Sequence, residues 1–418
     1  MTDTSKPIWI WLENHTTPVR AGTFTLENNQ GRFTYERDYV ARTEAFAIDP
    51  SHLPLPRATR GAIAQPRAMF TTLHDGLFGA LRDVCPEGYG RDLLNLKFQR
   101  TDNVLTPMEL LEHSAGDGVG AVEVCDDLSR KLAYTPPESQ QLIEAIAQLE
   151  PERASSSAVH RLLDLGTSMG GERPKLTVIH RDRWWLAKMQ DRGDAPHVPA
   201  REYVAMTLAD ECGITTAQTD FVKIGERELL LVRRFDRQGN LSQTMRYAYL
   251  SANTVLGLGK HALPGDRSRS YLALADRARR MRVNAKDVRE IWQRMVFNML
   301  VNNTDDHPRN HGFLRIGGEW TMAPAFDITP LTGTIGVLAM AVDARGNRQG
   351  DALALLQSAP HFGWEGEAAA RWLQASAEHI AHHWRRRMLG AGVSASFCDA
   401  RQRVSFSFAE HVAANPVA

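Results

Sequence analysis

Cysteine, excess charge of either sign and long apolar runs are all scarce in this 418-residue sequence. The four cysteines are scattered and form no C-x-x-C pair, which argues against a disulfide framework and a cysteine zinc site. Because 49 basic residues balance 49 acidic ones, the chain is not a dedicated nucleic-acid binder. No early segment has signal-peptide form, and no stretch approaches a membrane span. We therefore expect a soluble, cytoplasmic protein with reduced thiols.

The most informative stretch covers residues 296–329 and joins an apolar helix to a polar loop, a hairpin and an aspartate. Apolar residues recur at three- and four-residue steps over 288–300, which predicts a helix packed into a core. A polar run follows at 302–307. Gly317 and Gly318 then predict a two-residue hairpin turn that leads to Asp327.

This order of parts is typical of a metal-phosphate site. Phosphoryl transfer from ATP needs a carboxylate to orient the attacking hydroxyl, an amide oxygen for one Mg²⁺ and a second carboxylate for the metal that bridges the phosphates. Asp305 and Asn310 have the spacing of the Asp and Asn in the kinase loop H-R-D-L-x-x-x-N, and Asp327 follows as the Asp of D-F-G does. We predict that Asp305 orients the hydroxyl, that Asn310 and Asp327 bind metal, and that His307 supports the loop.

A second stretch, residues 165–189, predicts the phosphate-binding elements. Gly170 and Gly171 give a flexible turn whose amides can approach phosphate oxygens, and a hairpin follows that carries Lys188 near the end of its second strand. A strand-end lysine is more often simply solvated, but its order relative to Asp305 favours a phosphate-binding lysine. Glu202, at the start of the next predicted helix, is a candidate partner for Lys188, although the helix dipole explains an acidic residue there equally well.

The sequences N-T-D-D-H-P-R-N at 303–310, A-P-A-F-D-I at 323–328 and S-M-G-G-E-R-P-K at 168–175 occur in the order found in a known family. They resemble the HipA family, the serine/threonine kinase toxins of bacterial toxin-antitoxin pairs. Residues 75–91 and the glycine run at 116–122 are similar to that family's N-terminal module. Taken alone, the glycine run predicts a tight turn into a strand rather than a phosphate loop.

The resemblance implies further site residues. In the family, a serine at the position of Ser168 is autophosphorylated, which displaces the loop and switches the kinase off. Backbone groups near Arg233 and Phe235 are expected to hold adenine, with Asp236 near the ribose. The expected nucleotide-binding set is Ser168, Gly170, Gly171, Lys175, Lys188, Arg233, Phe235 and Asp236.

The predicted fold class is α+β, a protein-kinase-like (HipA-like) two-lobe fold with a β-rich N-terminal subdomain and an all-helical C-terminal lobe. We expect a HipA-like N-terminal subdomain at 1–135, a kinase N-lobe with the glycine loop and the ATP-binding lysine at 136–236, and a helical C-terminal lobe with the catalytic loop at 237–418.

The predicted function is ATP- and Mg²⁺-dependent phosphorylation of a serine or threonine on a protein. The resemblance implies an aminoacyl-tRNA synthetase as substrate, with glutamyl-tRNA synthetase the precedent, and a HipB-like helix-turn-helix antitoxin as partner. DNA is expected only indirectly, through the antitoxin. Two alternatives stay open: a catalytically silent scaffold that binds an antitoxin, and a metal-dependent phosphoesterase seeded by Asp305, Asp306 and His307. Asp306 stands where some relatives have glycine, so we expect Asp306→Gly to leave phosphotransfer largely intact.

Overall fold

The computed structural model describes residues 5–56, 65–100, 104–147, 173–190, 193–259 and 262–416. They form a five-stranded, a four-stranded and a three-stranded sheet, a two-stranded ribbon, and helices that dominate the C-terminal half. Across these ranges no helix combines the length and the apolar character needed to cross a bilayer.

Within its described residues, the N-terminal module has five strands and five short α-helices. Asn28 and Asn29 join the second and third strands with φ of 49° and 60°, the left-handed values that a type I′ hairpin turn requires. Phe24 and Phe33 face each other across this hairpin and are fully buried, so they anchor the sheet to its core. The strands are β1 (Ser5–Ile10), β2 (Val19–Glu27), β3 (Gln30–Tyr35), β4 (Met69–Thr71) and β5 (Val122–Val124), antiparallel in the order β4-β3-β2-β1-β5. The helices are α1 (Arg37–Val40), α2 (Gly79–Val84), α3 (Gly88–Lys97), α4 (Pro107–His113) and α5 (Leu128–Leu132).

The second unit is an antiparallel four-stranded sheet with one helix before it in sequence and a second helix between its second and third strands. Arg181 and Asp182 form the predicted hairpin turn, again with positive φ. Leu142 and Ile146 of the preceding helix pack on Trp185 and Leu229 in a small core separate from the main one. The elements are α6 (Ser139–Ala147), β6 (Lys175–His180), β7 (Arg183–Met189), α7 (Val198–Glu211), β8 (Thr219–Ile224) and β9 (Arg227–Arg233), with strand order β6-β7-β9-β8.

The C-terminal part is mostly helical and carries a small sheet. Several of its helices begin at side-chain caps, for example Ser270 and Asn284, each of which accepts a hydrogen bond from a backbone N–H of the first turn. The strands are β10 (Arg237–Gln238), β11 (Met245–Arg246), β12 (Ala248–Ser251), β13 (Gly312–Ile316) and β14 (Glu319–Met322). The helices are α8 (Ala252–Leu256), α9 (Tyr271–Arg280), α10 (Ala285–Leu300), α11 (Ala352–Ser358), α12 (Gly366–Gly390), α13 (Ala395–Phe397) and α14 (Arg403–Ala414).

The hairpin predicted at Gly317 and Gly318 is present as β13 and β14, and β12 pairs with β13 to make a third strand. The expectation of an all-helical lobe is therefore corrected to a largely helical one. The physical reason is that this sheet buries Phe313 and Leu314 against the core, which an isolated hairpin cannot do. The predicted amphipathic helix is α10, and its Ile291, Trp292 and Met295 are fully buried.

Three carboxylates dock the N-terminal module onto the C-terminal part. Asp83 accepts hydrogen bonds from the backbone N–H and the hydroxyl of Ser251 at 2.8 and 2.6 Å. Glu87 forms an ion pair with Arg309 at 2.7 Å. Glu13 accepts from the backbone N–H groups at the tip of the β13–β14 hairpin. The module therefore touches the chain on both sides of the predicted catalytic loop.

Candidate active site

Three charged side chains from separate elements meet at the centre of the candidate site. Lys188 Nζ, near the end of β7, donates to Glu202 Oε1 of α7 at 2.6 Å and to Asp327 Oδ1 at 2.8 Å. The side chain of Glu202 is 4% exposed and that of Asp327 is 38% exposed, so the cluster opens to solvent on the Asp327 side. The structure thus brings together residues that are 14 and 139 positions apart in the chain.

The charges in this cluster shift one another's pKa values. Burial lowers the pKa of Lys188, but the carboxylates of Asp327 and Glu202 outweigh burial and raise it above its ordinary value. Burial raises the pKa of Asp327, but Lys188 and Lys175 hold it well below its usual range. At Glu202 burial dominates and the pKa is raised. Asp327 is therefore ionised at neutral pH, the state in which a carboxylate binds a cation.

Lys175 supplies a second positive charge beside the cluster. It lies at the start of β6, directly opposite Lys188 in the register of β6 and β7. Burial and the charge of Lys188 lower its pKa to about 8. Two ammonium groups held together in this way attract a polyanion such as a nucleoside triphosphate. The other predicted glycine-loop residues, Ser168, Gly170 and Gly171, lie outside the described residues.

The predicted catalytic loop is a tight turn that presents Asp305 to solvent. The backbone carbonyl of Asp305 accepts from His307 N at 2.8 Å and from Asn310 Nδ2 at 3.0 Å. Because Nδ2 donates within the loop, the amide oxygen is the atom of the Asn310 side chain that could bind a cation. His307 Nδ1 is buried and has no hydrogen-bond partner among the described residues.

The two asparagines that open the polar run point inward and fasten the loop to the chain beyond Asp327. Asn302 Nδ2 donates to the Thr334 carbonyl at 2.8 Å, and its Oδ1 accepts from Gly336 N at 3.0 Å. Asn303 Oδ1 accepts from Thr329 N at 3.3 Å. From the sequence, these asparagines were predicted only as part of the polar run. Their position directly after a buried helix was the available signal, since polar groups there need internal partners.

Asp306 also points inward, away from its neighbour Asp305. It is 3% exposed, and its Oδ2 accepts from the Tyr271 hydroxyl and from His311 Nε2, the latter at 2.8 Å. The phosphoesterase alternative required Asp306 as a metal ligand beside Asp305 and His307. That arrangement does not fit, because the Asp306 carboxylate is buried and already holds two donors.

The chain around Asp327 is held in an uncommon backbone conformation. Asp327 has φ of 62°, in the left-handed region that a non-glycine residue occupies at a cost of about 1–3 kcal/mol. Two residues earlier, Ala325 forms a parallel bridge with Thr216. Arg201 of α7 donates through Nε and Nη2 to the Pro330 carbonyl at 3.2 and 2.6 Å. The same helix therefore holds the Asp327 segment through Arg201 and reaches Lys188 through Glu202.

The predicted adenine-binding segment lies next to this centre. The Phe235 ring stacks at a tilt on Phe326, with ring centroids 5.4 Å apart, and Phe326 directly precedes Asp327. Arg233 is exposed, and its backbone N–H donates to the Gln218 carbonyl at 2.8 Å. The N–H of Arg233 is thus used within the protein, which leaves its carbonyl and the Phe235 backbone as the groups to test against adenine.

The expectation that Asp236 lies near a ribose is corrected by the structure. Asp236 is 2% exposed. Its Oδ1 accepts from Arg234 at 3.0 Å, and its Oδ2 accepts from Arg234, Arg237 and Gly120 N at 2.7 Å each. With both oxygens occupied and buried, Asp236 balances two arginines instead of facing a ligand.

Arg234 and Arg237, together with Arg246, form what we call the arginine clamp. Their guanidinium groups donate to backbone carbonyls of the glycine run 116–120 in the N-terminal module, for example Arg237 to the Gly120 carbonyl at 2.9 Å. Glu123 balances Arg246 at 2.8 Å. The glycine run is the predicted turn into β5. Close packing against α5 requires glycine at its start, because a Cβ at Gly116 would lie 1.9 Å from the backbone oxygen of Lys131.

The donor set fits a magnesium nucleotide. Asp327 and Asn310 offer a carboxylate and an amide oxygen, the hard ligands that Mg²⁺ prefers, and a magnesium ion in kinases takes its remaining ligands from phosphates and water. Among the described residues no group of three or more His, Cys, Asp or Glu side chains is placed to hold a metal without such help.

A lysine on a strand, paired with a helix glutamate and in contact with an aspartate that follows a catalytic-type loop, is the arrangement of the protein-kinase-like fold. Two family comparisons agree with it: the HipA N-terminal domain matches residues 10–125, and the HipA-like C-terminal domain matches residues 167–384. The chain belongs to the HipA family.

Two individual relatives give the range of similarity. A curated relative, the serine/threonine-protein kinase toxin HipA of Shewanella oneidensis, is 25% identical over 146 residues, which span 32% of this chain and only 34% of that protein. A solved structure of the HipA, HipB and operator DNA complex of the same organism matches at 17% identity and a TM-score of 0.66, over 98% of this chain and 96% of that one. The structural likeness confirms the α+β kinase-like fold. The domain boundaries and the roles of the site residues stay predictions.

Proposed function

We propose that this protein is an ATP- and Mg²⁺-dependent serine/threonine protein kinase of the HipA toxin type. The observation that carries the proposal is the single ammonium group of Lys188, which is bonded to both Glu202 and Asp327. This contact sets the phosphate-binding lysine and the metal-binding carboxylate side by side, as phosphoryl transfer requires.

Each residue has a distinct role in the proposed reaction. Lys188 and Lys175 hold phosphate oxygens, and Glu202 keeps Lys188 in place. Asp305, exposed at the tip of its turn, orients the acceptor hydroxyl and takes its proton. Asn310 and Asp327 would hold Mg²⁺, which neutralises charge on the phosphates during transfer. His307 supports the loop beside Asp327.

The substrate and partner are proposed from the family. The substrate is a translation-related protein such as glutamyl-tRNA synthetase or another aminoacyl-tRNA synthetase, and self-phosphorylation at Ser168 regulates the enzyme. The partner is a HipB-like antitoxin, through which the protein meets DNA. The support for the partner is that the structural relative is a HipA–HipB complex on operator DNA.

The test is transfer of label from γ-labelled ATP and Mg²⁺ to the chain and to glutamyl-tRNA synthetase. Asp305→Asn should reduce transfer at least a hundredfold while ATP binding persists, because it removes the proton acceptor and leaves the phosphate site intact. Lys188→Met should abolish both. Matched controls are Asp276→Asn and Lys286→Met, both at exposed positions away from the site.

ATP binding without label on the chain, on the synthetase or in a cell extract would contradict the kinase proposal and favour the scaffold alternative. Wild-type activity in Asp305→Asn would show that another carboxylate is the catalytic one.

A further inference from the structure

Glu228 is a buried carboxylate that the proposed reaction does not use. It lies in β9, two residues before Leu230, which pairs with Lys188 of β7. Its side chain is 4% exposed. A carboxylate withdrawn from water needs hydrogen-bond donors to offset its lost hydration, so the partners of Glu228 indicate what it holds.

Both oxygens of Glu228 bond to the beginning of helix α7. Oε1 accepts from His197 Nδ1 at 2.5 Å, and Oε2 accepts from Ala200 N at 3.3 Å. His197 directly precedes the helix, and its own side chain makes no capping hydrogen bond. The N–H groups of a first helical turn have no partner within the helix. Glu228 therefore caps α7 from a neighbouring strand, where its negative charge also complements the helix dipole.

The residue that Glu228 holds has a constrained backbone. His197 has φ of 62° and ψ of 32°, the left-handed region, which is uncommon for a residue other than glycine. Its N–H donates to Gln190 Oε1 at 3.1 Å, and its ring packs edge-on against Phe397 of α13, with centroids 5.1 Å apart. Side chains from three separate parts of the chain thus fix the turn that leads into α7.

The first turns of α7 carry both side chains that connect the candidate site. Arg201 donates to the Pro330 carbonyl at 2.6 Å, beyond the metal-binding carboxylate, and to the Pro196 carbonyl at 3.1 Å, just before the capped turn. The next residue, Glu202, holds Lys188. A displacement of the capped turn would therefore move the lysine contact and the metal-binding segment together.

We propose that Glu228 is a positioning residue for phosphotransfer, which fixes the start of α7 through His197 and so keeps the lysine and the metal-binding segment correctly spaced. Its two oxygens bond to α7, so it acts through the helix and not on the nucleotide. The competing explanation is a buried carboxylate that only stabilises the fold. This inference rests on the proposed kinase function, because it names a further residue that supports the same site.

The first test is local and needs no catalysis. Amide hydrogen exchange, followed by mass spectrometry, compares the wild type with Glu228→Ala and with Glu226→Ala, an exposed control in the turn before β9. Glu228→Ala should speed exchange about tenfold at residues 198–204 and 327–331 and leave the rest of the C-terminal part unchanged, whereas the control should match the wild type. Unchanged exchange at 327–331 would overturn the inference, and so would equally faster exchange throughout the chain.

Two milder variants carry the same test if Glu228→Ala does not fold. Glu228→Gln keeps the volume of the side chain and removes its charge. His197→Asn removes the ring but places a residue that adopts the left-handed backbone comparatively well. Both should speed exchange in the same two segments, by a smaller factor.

The second test uses the coupling between residues that act through one contact. In single-turnover phosphotransfer at saturating ATP and Mg²⁺, Glu228→Gln should slow the reaction about fivefold, as loss of a helix cap allows, while Glu226→Gln should not. Added to Glu202→Gln, the same change should cost less than about a further twofold, because both residues act through the position of α7.

Losses that multiply in the double variant would overturn the inference and leave Glu228 with a structural role only. Wild-type rates and wild-type exchange in the Glu228 and His197 variants would overturn it as well. A failure of the kinase proposal is distinguishable, since it appears as absent phosphotransfer in the wild type, while hydrogen exchange still reports whether Glu228 controls the two segments.

Discussion

Lys175 and Lys188, two neighbouring lysines at the candidate phosphate site, make nucleotide binding depend on pH. Burial and Lys188 lower the pKa of Lys175 to about 8, so its charge is present below that pH and is lost as the pH rises through it. We therefore predict that affinity for ATP falls between about pH 7 and 9. Titration calorimetry should show this fall in the wild type but not in Lys175→Met, with Lys286→Met as the control that retains it.

The same shift has an opposite effect on stability. The unfolded chain holds the Lys175 proton up to about pH 10.4, so between pH 8 and that value it binds more protons than the folded chain, and stability rises with pH. The gain should be absent in Lys175→Met when urea unfolding is measured at pH 7, 8.5 and 10. A parallel rise in the variant would assign the effect to another group.

The expectation drawn from the sequence for Asp306→Gly concerned phosphotransfer, and the buried hydrogen bonds of Asp306 add a prediction about stability. Removing the carboxylate leaves the Tyr271 hydroxyl and His311 Nε2 without an acceptor, at about 1–3 kcal/mol for each buried group. Asp305→Ala, at an exposed position, should change the free energy of unfolding by about 0.5 kcal/mol or less. Urea denaturation of both variants checks the contrast, which fails if their midpoints agree.

The site formed by Asp305, Asn310 and Asp327 could be predicted from the sequence because the chemistry of phosphoryl transfer constrains their spacing. The sequence did not predict that the Asp305 side chain faces solvent while the Asp306 side chain points into the core. An irregular loop has no period that assigns successive side chains to solvent or to the core, so only the three-dimensional partners of Asp306 decide it.

At the scale of elements, helix α7 couples the two halves of the candidate site. Glu202 reaches Lys188, and the preceding residue, Arg201, holds the Pro330 carbonyl beyond Asp327. We predict that Arg201→Met slows phosphotransfer about tenfold while nucleotide affinity changes little, because a hydrogen bond from a charged group is worth about 1.5–3 kcal/mol and here it positions the metal-binding segment. Single-turnover kinetics with Arg371→Met, an exposed control on α12, test this.

An equal loss of affinity and rate in Arg201→Met would show that the helix acts on nucleotide binding instead. The sequence predicted helix α7 itself, and pairing with Lys188 was one of the two explanations left open for Glu202. The role of Arg201 was not foreseen, since an arginine in the first turn of a helix normally faces water and its acceptor lies 129 residues away.

At the scale of the whole molecule, the arginine clamp joins the N-terminal module to the predicted adenine-binding segment. We predict that Asp236→Ala destabilises the protein by about 3–5 kcal/mol, because it leaves Arg234 and Arg237 buried without their carboxylate. Asp276→Ala, at an exposed ion pair, should cost about 1 kcal/mol or less. If Asp236 instead bound ribose, the variant would lose nucleotide affinity and keep its unfolding midpoint.

The two-lobe arrangement followed from the order of motifs, while the clamp did not. Arg234 and Arg237 come soon after the end of β9, and Arg246 lies in β11. The carbonyls that they bind belong to a glycine turn in a different part of the chain. Contacts of this separation leave no mark in local composition or periodicity.

Because of that separation in sequence, the ribosome makes the clamp arginines well after the glycine run that they bind. The clamp arginines follow the glycine run by 116 to 130 residues. At roughly 5–20 residues per second a ribosome needs about 6–25 s to make that length. In the folded protein the described residues place Glu123 between Lys131, eight residues along, and Arg246 of the clamp. The partner of Glu123 that is close in sequence is therefore available to the growing chain well before the distant one.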